Sequence, residues 1–413
     1  MAIRVLIVDD SSFFRRRISE IVSKDPVMEV AGMAANGRDA VKMVEELKPD
    51  VITMDVEMPI MNGIDAVRKI MEVRPTPIIM FSSLTLEGAT LTFNALEAGA
   101  LDFITKNFDE IARDRATAMD LIRTKIKDIA RQKFRMAPKS VSGATSGTAG
   151  TSSSAVTSRT TQTRALPSRT SLSDRVNSLS SFRTSSSQSS SGNTPLSSSF
   201  RKAPPSSVPE LQSVAGYRPT GKKYSLIAIG SSTGGPMALQ EILVALPENL
   251  PVPLVIVQHM PATFTRTFAA RLDKICKVTV SEAADGDILQ PGHVYIAPGG
   301  MQMTVEGRGT QTRLRIQVSD PTMTFKPCVD NTFTSINATY GGAVLALILT
   351  GMGSDGKEGC AKLRHSGSTV WAQNEATCTI YGMPQAIVNA GIAQLAVPLP
   401  EIGKCIIKEV MGH

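Results

Sequence analysis

The sequence predicts an α/β protein of two doubly wound parallel-sheet domains joined by a disordered linker. Three observations carry this expectation. Short, near-continuous apolar runs alternate with helical patterns from residue 1 to about 135. The same alternation resumes at YSLIAIGSS and continues to the C-terminal region. Between them the composition turns to Ser, Thr, Pro and Arg without periodicity. Strands that read as continuous apolar runs are those buried on both faces, as in parallel sheets flanked by helices.

In the first part, VLIVD (Val5 to Asp9), VITMD (Val51 to Asp55), IIMFS (Ile78 to Ser82) and LDFITK (Leu101 to Lys106) are the clearest strands, with a weaker one near Val30. In the last part the strands are YSLIAIGSS, LVIVQHM (Leu254 to Met260), HVYIAPG (His293 to Gly299), AVLALILTGMG (Ala343 to Gly353) and STVWAQ (Ser368 to Gln373). The middle segment, as in SSFRTSSSQSSSGNTPLSSSF, has too little apolar surface to offset its ordering entropy. The domain boundaries set by this reading are 1–125, 126–223 for a helical extension and linker, and 224–413. Functional loops are expected at the carboxyl ends of the strands.

Composition narrows the function classes. The chain of 413 residues has a formal charge of +7, which looks like a nucleic-acid signal until it is located. Residues 137 to 223 carry eleven Lys and Arg against two acids, so the folded parts are near neutral. No apolar run reaches the roughly eighteen residues of a membrane span, and MAIRVLIVDD meets acidic residues too early for a signal peptide. A cytoplasmic protein with no nucleic-acid partner and no membrane insertion is expected. The five cysteines, Cys276, Cys328, Cys360, Cys378 and Cys405, lack metal-ligand spacing and read as reduced thiols.

Asp9 and Asp10 end one strand and Asp55 another, so three carboxylates converge at one sheet edge. Oxygen ligands of this kind suit Mg²⁺. Ser82 ends a third strand and Lys106 follows a fourth, adding the hydroxyl and ammonium that phosphoryl transfer to Asp55 needs. Any one of these acids alone would also suit a cap or turn; their common position is the signal. The segments VLIVDDS, MDVEMPIMNG, FSSLT and DFITKN resemble the receiver domain of response regulators, a flavodoxin-like fold. The resemblance implies Asp55 as phosphoacceptor, Mg²⁺ held by Asp9, Asp10 and Asp55, and Ser82 and Lys106 as contacts to the phosphoryl group. Phe103 stands in the position of the aromatic switch residue.

In LIAIGSSTGGP a strand runs into a Gly/Ser turn and then Pro236, a residue suited to a first helical turn. Ser232 sits at that turn, where the amides of Thr233, Gly234 and Gly235 can stabilise an oxyanion. Taken alone, GSSTGG also suits a phosphate-binding loop, and Ser232 a helix cap. Of the four histidines, His259 follows the strand LVIVQ and reaches the same sheet edge, which makes it the best candidate base. Asp355, in ALILTGMGSDG, follows the longest apolar run and is the candidate orienting carboxylate. The order Ser, His, Asp differs from that of the better-known hydrolase folds.

The segments IGSSTGGP, QHMPATFTRTFAARL, VYIAPGG, TGMGSDG and AQNEATCTIYGMPQAI together resemble the Rossmann-like catalytic domain of the chemotaxis protein-glutamate methylesterase family, CheB, from about Tyr224 to Pro400. On that resemblance Ser232 is the nucleophile, His259 the base, Asp355 its partner and Met352 a residue shaping the site. One departure is FKPCVD, with Cys328 where the family pattern has serine. The resemblance further implies phosphorylation-activated hydrolysis of glutamyl methyl esters on methyl-accepting chemotaxis receptors, deamidation of receptor glutamines, and a chemotaxis histidine kinase as phosphodonor. It implies no cofactor for the ester hydrolysis. In the family the unphosphorylated receiver covers the catalytic face; the long linker here predicts looser inhibition. Two rivals remain, a noncatalytic receptor-binding or phosphoryl-draining module and a DNA-binding response regulator.

Overall fold

A computed structural model describes residues 2–106, 115–131, 208–211, 213–320 and 322–412. Most of the Ser/Thr/Arg-rich stretch read as a linker therefore lies outside the described residues.

The first sheet contains β1 (Ile3–Val8), β2 (Met28–Ala34), β3 (Val51–Asp55), β4 (Ile78–Ser82) and β5 (Asp102–Thr105). Its order is β2-β1-β3-β4-β5, and every pair is parallel. The helices are α1 (Ser12–Ser23), α2 (Gly37–Leu47), α3 (Gly63–Val73), α4 (Leu86–Glu97) and α5 (Arg115–Ala130). Side chains of Ser11, Asn36, Asn62 and Thr85 accept the free amides at the starts of α1 to α4, the satisfaction that exposed helix starts require. Alternation along each strand divides the core. Val5, Ile7 and Ile79 pack with Ile18 of α1 and Ile126 of α5, whereas Leu6, Val8 and Met80 pack with Val44, Val67 and Phe93.

The second sheet is β6 (Leu226–Ser231), β7 (Leu254–Gln258), β8 (Thr279–Glu282), β9 (His293–Ile296), β12 (Val344–Ile348), β13 (Thr369–Gln373) and β14 (Leu395–Val397). Its order is β14-β13-β12-β6-β7-β9-β8, again parallel throughout. Helices α6 (Gly235–Ala245), α7 (Ala262–Ile275) and α11 (Leu399–Met411) cover one face; α8 (Val329–Tyr340), α9 (Lys357–His365) and α10 (Met383–Asn389) cover the other. An antiparallel ribbon, β10 (Met301–Glu306) with β11 (Arg313–Val318), was not foreseen from the sequence.

Both sheets belong to one compact unit, and the core on the α4 side continues into the core on the α7 side. A second difference concerns residues 208–223, which the sequence reading assigned to the linker. Leu211 donates to Ala396, and Tyr217, Thr220 and Tyr224 all donate to Glu409 of α11, which is wholly buried. A segment without periodicity is held because a buried carboxylate collects its hydroxyls.

Candidate active site and phosphorylation pocket

The turn from β6 to α6 carries the candidate nucleophile. β6 lies between β12 and β7, so Ser232 emerges among three strand ends. The Ser232 amide donates to Thr350 and the His259 amide to Ser231, which sets the two candidate residues side by side at the sheet edge. Gly351 permits this approach: a Cβ there would lie 2.9 Å from the Ser232 Cβ and 2.5 Å from the Met383 Sδ. Gly234 adopts φ +77°, a left-handed conformation natural to glycine. The amide of Gly235 donates to the Ser232 carbonyl. This corrects the expectation that all three amides face an oxyanion, leaving those of Thr233 and Gly234 as the candidates.

His259 Nε2 lies 2.8 Å from Asp355 Oδ2. With Asp355 ionised, this contact puts the proton on Nε2 and leaves Nδ1 as the basic nitrogen. The Ser232 hydroxyl makes no hydrogen bond among the described residues, so serine and imidazole are adjacent without being engaged.

Asp355, in the loop before α9, is buried against the start of α8. It accepts the amides of Val329 (2.8 Å), Asp330 (2.9 Å) and Gly356 (2.9 Å), and the Cys328 thiol at 3.3 Å. Burial opposes its charge, but the His259 contact and these amides outweigh burial and hold the carboxyl below its ordinary value. Burial and the neighbouring Asp355 push the Cys328 thiol up to about 12, so it stays protonated and acts as a donor.

Three residues around Ser232, His259 and Asp355 went unnoticed in the sequence. Gln258 accepts from the Ser231 hydroxyl at 2.6 Å and donates to the Ser232 carbonyl at 3.0 Å, bracing the nucleophile turn. The Phe325 ring stacks on the His259 ring, with centroids 4.4 Å apart and planes 4° from parallel. Gln302, buried on β10, donates to the Phe325 carbonyl at 2.8 Å and accepts the Cys328 amide at 3.0 Å. Phe325 lies in FKPCVD, read only for its cysteine, and Gln258 in LVIVQHM, read only for His259; Gln302 lies in neither.

At the first sheet, Asp9, Asp10 and Asp55 place carboxylate oxygens within 4.8 Å of one another. Lys106 Nζ is 2.8 Å from both Asp9 and Asp55. Burial raises the Asp55 pKa to about 6 against the opposing pull of Lys106. The donor set consists entirely of hard oxygens, which fits Mg²⁺. Ser82 is not turned to this cluster; its hydroxyl donates to the Gly88 carbonyl at 3.1 Å and the Ser83 carbonyl at 3.2 Å.

The α4–β5 side of the first sheet meets the second domain beside the nucleophile turn. Phe103 stacks on Phe264 with centroids 4.4 Å apart, and Phe93 on Phe268 at 5.2 Å. Arg271 pairs with Glu97 and donates to Asn94 at 2.9 Å. Thr233 donates to Asp102 at 2.9 Å, and Lys125 meets the same carboxylate oxygen at 2.6 Å. Met352 and Ile380 pack in the cluster that holds Met119 and Ile122 of α5.

A serine beside an imidazole–carboxylate pair belongs to the class of serine hydrolases, and carboxylates at the ends of a five-stranded parallel sheet belong to phosphoryl-accepting regulators. The CheB methylesterase family model matches residues 227–406, and the response regulator receiver domain model matches residues 5–115. The chain is 48% identical over 410 residues to a protein-glutamate methylesterase/protein-glutamine glutaminase of Shewanella frigidimarina, with 99% of each chain covered. It is 49% identical over 410 residues to the protein of the same name from Aliivibrio fischeri, again with 99% of each covered. A crystal structure of the Thermotoga maritima CheB methylesterase catalytic domain is 39% identical, covers 45% of this chain and 98% of its own, and has a TM-score of 0.44. The chain belongs to the protein-glutamate methylesterase/protein-glutamine glutaminase family, and it carries a response regulator receiver domain. No helix among the described residues is long and apolar enough to cross a membrane.

Proposed function

We propose that this chain hydrolyses glutamyl methyl esters on chemotaxis receptors, deamidates receptor glutamines by the same chemistry, and is switched by phosphorylation of Asp55. The observation that carries the reading is the imidazole of His259, fixed by a buried and multiply hydrogen-bonded Asp355 next to Ser232.

The Ser232 hydroxyl passes its proton to His259 Nδ1 as its oxygen attacks the ester carbonyl. Amides of Thr233 and Gly234 stabilise the resulting oxyanion, and Asp355 stabilises the imidazolium. Collapse expels methoxide, which takes the proton from His259 and leaves as methanol. Water, deprotonated by the same imidazole, then hydrolyses the acyl-enzyme and restores Ser232. With an amide in place of the ester, the leaving group is ammonia.

In the receiver, Asp55 takes the phosphoryl group from a chemotaxis histidine kinase. Asp9, Asp10 and Asp55 would hold Mg²⁺, which neutralises phosphoryl charge during the transfer. Lys106 holds the charge on the Asp55 side, and Ser82 leaves Gly88 to meet the new oxygens. Phe103 and Asp102 open β5 and touch Phe264 and Thr233, so the path from pocket to catalytic turn is short.

The test is methanol release from methylated receptor fragments. Wild type should release it and Ser232→Ala should not. Equal release by both would remove the reading.

A further inference from the structure

We propose that Phe325 is a positioning residue for the reaction, holding the His259 imidazole flat against its ring and favouring the charged form. The proposal deepens the esterase reading and rests on it for the role of His259.

Asp355 alone leaves the imidazole free to swing. One contact at Nε2 fixes a point on the ring but not the tilt of its plane. A face-to-face contact with planes 4° from parallel holds that tilt. The His259 side chain is only 12% exposed, so the face of Phe325 acts on it at low effective dielectric. An aromatic face attracts a cation held over it more strongly when water is excluded. His259 becomes a cation each time it takes the serine proton, so the stack favours that step over the resting state.

Phe325 is itself held. It lies on the segment between β11 and α8, and buried Gln302 donates to its carbonyl and to the Ser319 hydroxyl while accepting the Cys328 amide. One side chain thereby fixes both the residue that stacks on His259 and the residue that donates to Asp355. The titratable and charged groups around the imidazole are Asp355 at its edge, with the Cys328 thiol and Asp330 behind it. Asp102 lies beyond the nucleophile turn through Thr233, and Lys326, next to Phe325 in the chain, is exposed.

The experiment uses the full chain with a small-molecule phosphodonor and compares wild type, Phe325→Leu, Phe325→Tyr and Gln302→Leu. One arm measures the pH profile of kcat/KM for methanol release. The other titrates the imidazole resonances by NMR, with only four histidines to resolve and His259→Gln to assign the signal. For Phe325→Leu the His259 pKa and the acid limb should both move down by about 0.5 to 1 pH units. Its kcat should fall about ten-fold with little change in KM. Phe325→Tyr should keep the wild-type profile, and Gln302→Leu should reproduce part of the loss. An unchanged His259 titration in folded Phe325→Leu overturns the proposal, as does a loss confined to KM, which would make the ring a substrate contact. If wild type releases no methanol, the functional reading fails while the titration still tests the ring.

Discussion

Thr233, the residue after the candidate nucleophile, donates its hydroxyl to Asp102 at the start of the last receiver strand, and the pair is buried. The regulatory domain thus places a carboxylate beside an amide that would stabilise an oxyanion, where a negative charge opposes the reaction. This contact gives a physical route from the receiver to the turn that carries the candidate nucleophile.

Replacing Asp102 with Asn should therefore raise methanol release by the unphosphorylated protein. Asn keeps the shape and can still accept from Thr233, so the change removes charge and weakens the Lys125 contact. A hydrogen bond to a charged group contributes about 1.5 to 3 kcal/mol, which limits the rise to roughly ten- to a hundred-fold. Release at or below the wild-type level would show that this contact does not restrain the site.

Ser82→Ala should uncouple input from output. The hydroxyl now donates to Gly88 at the start of α4; on the proposed reading it exchanges that partner for phosphoryl oxygens. Phosphorylation of Asp55 should persist in the variant, read by gel mobility with a labelled donor, while activation of methanol release falls at least several-fold. A fully activated variant would assign the switch elsewhere.

Gly351→Ala tests the close approach at the nucleophile. The added methyl meets the Ser232 Cβ and the Met383 sulfur inside normal contact distance. Displacing a reacting group by about 1 Å can cost roughly a hundred-fold in rate. A kcat loss of that order is expected in protein that still unfolds cooperatively, and near-normal kcat would contradict the geometry.

Glu409 makes a stability prediction with a definite sign in pH. Burial would raise its pKa, but hydrogen bonds from Thr220, Tyr217 and Tyr224 prevail and hold it below the ordinary 4.5. A carboxyl depressed in the folded state stabilises fully above its unfolded pKa, and that stabilisation is lost as pH falls through the folded value. Glu409→Ala strands three hydroxyls and should cost about 2 to 4 kcal/mol in urea unfolding at pH 7. The margin between wild type and Glu409→Gln should narrow below about pH 4. A margin that widens on acidification would reverse the assignment.

The strand-end acids and the Ser232, His259 and Asp355 positions were legible because each follows an apolar run that parallel sheets demand, and strand ends gather at one edge. Residues acting from the side were not. Phe325 reaches His259 from a loop after an unforeseen ribbon, and its neighbours carry no periodic pattern. Gln302 and Gln258 look like ordinary strand polars until their partners are known. The docking of Tyr217 and Thr220 depends on Glu409, roughly two hundred residues away in the chain, so no local signal could announce it.

The most direct test of the account is methanol release from methylated receptor fragments by wild type, Ser232→Ala and Asp55→Ala, each with and without a small-molecule phosphodonor. Release should require Ser232 and should rise with phosphodonor only when Asp55 is present. Release by Ser232→Ala, or equal stimulation of Asp55→Ala, would contradict it.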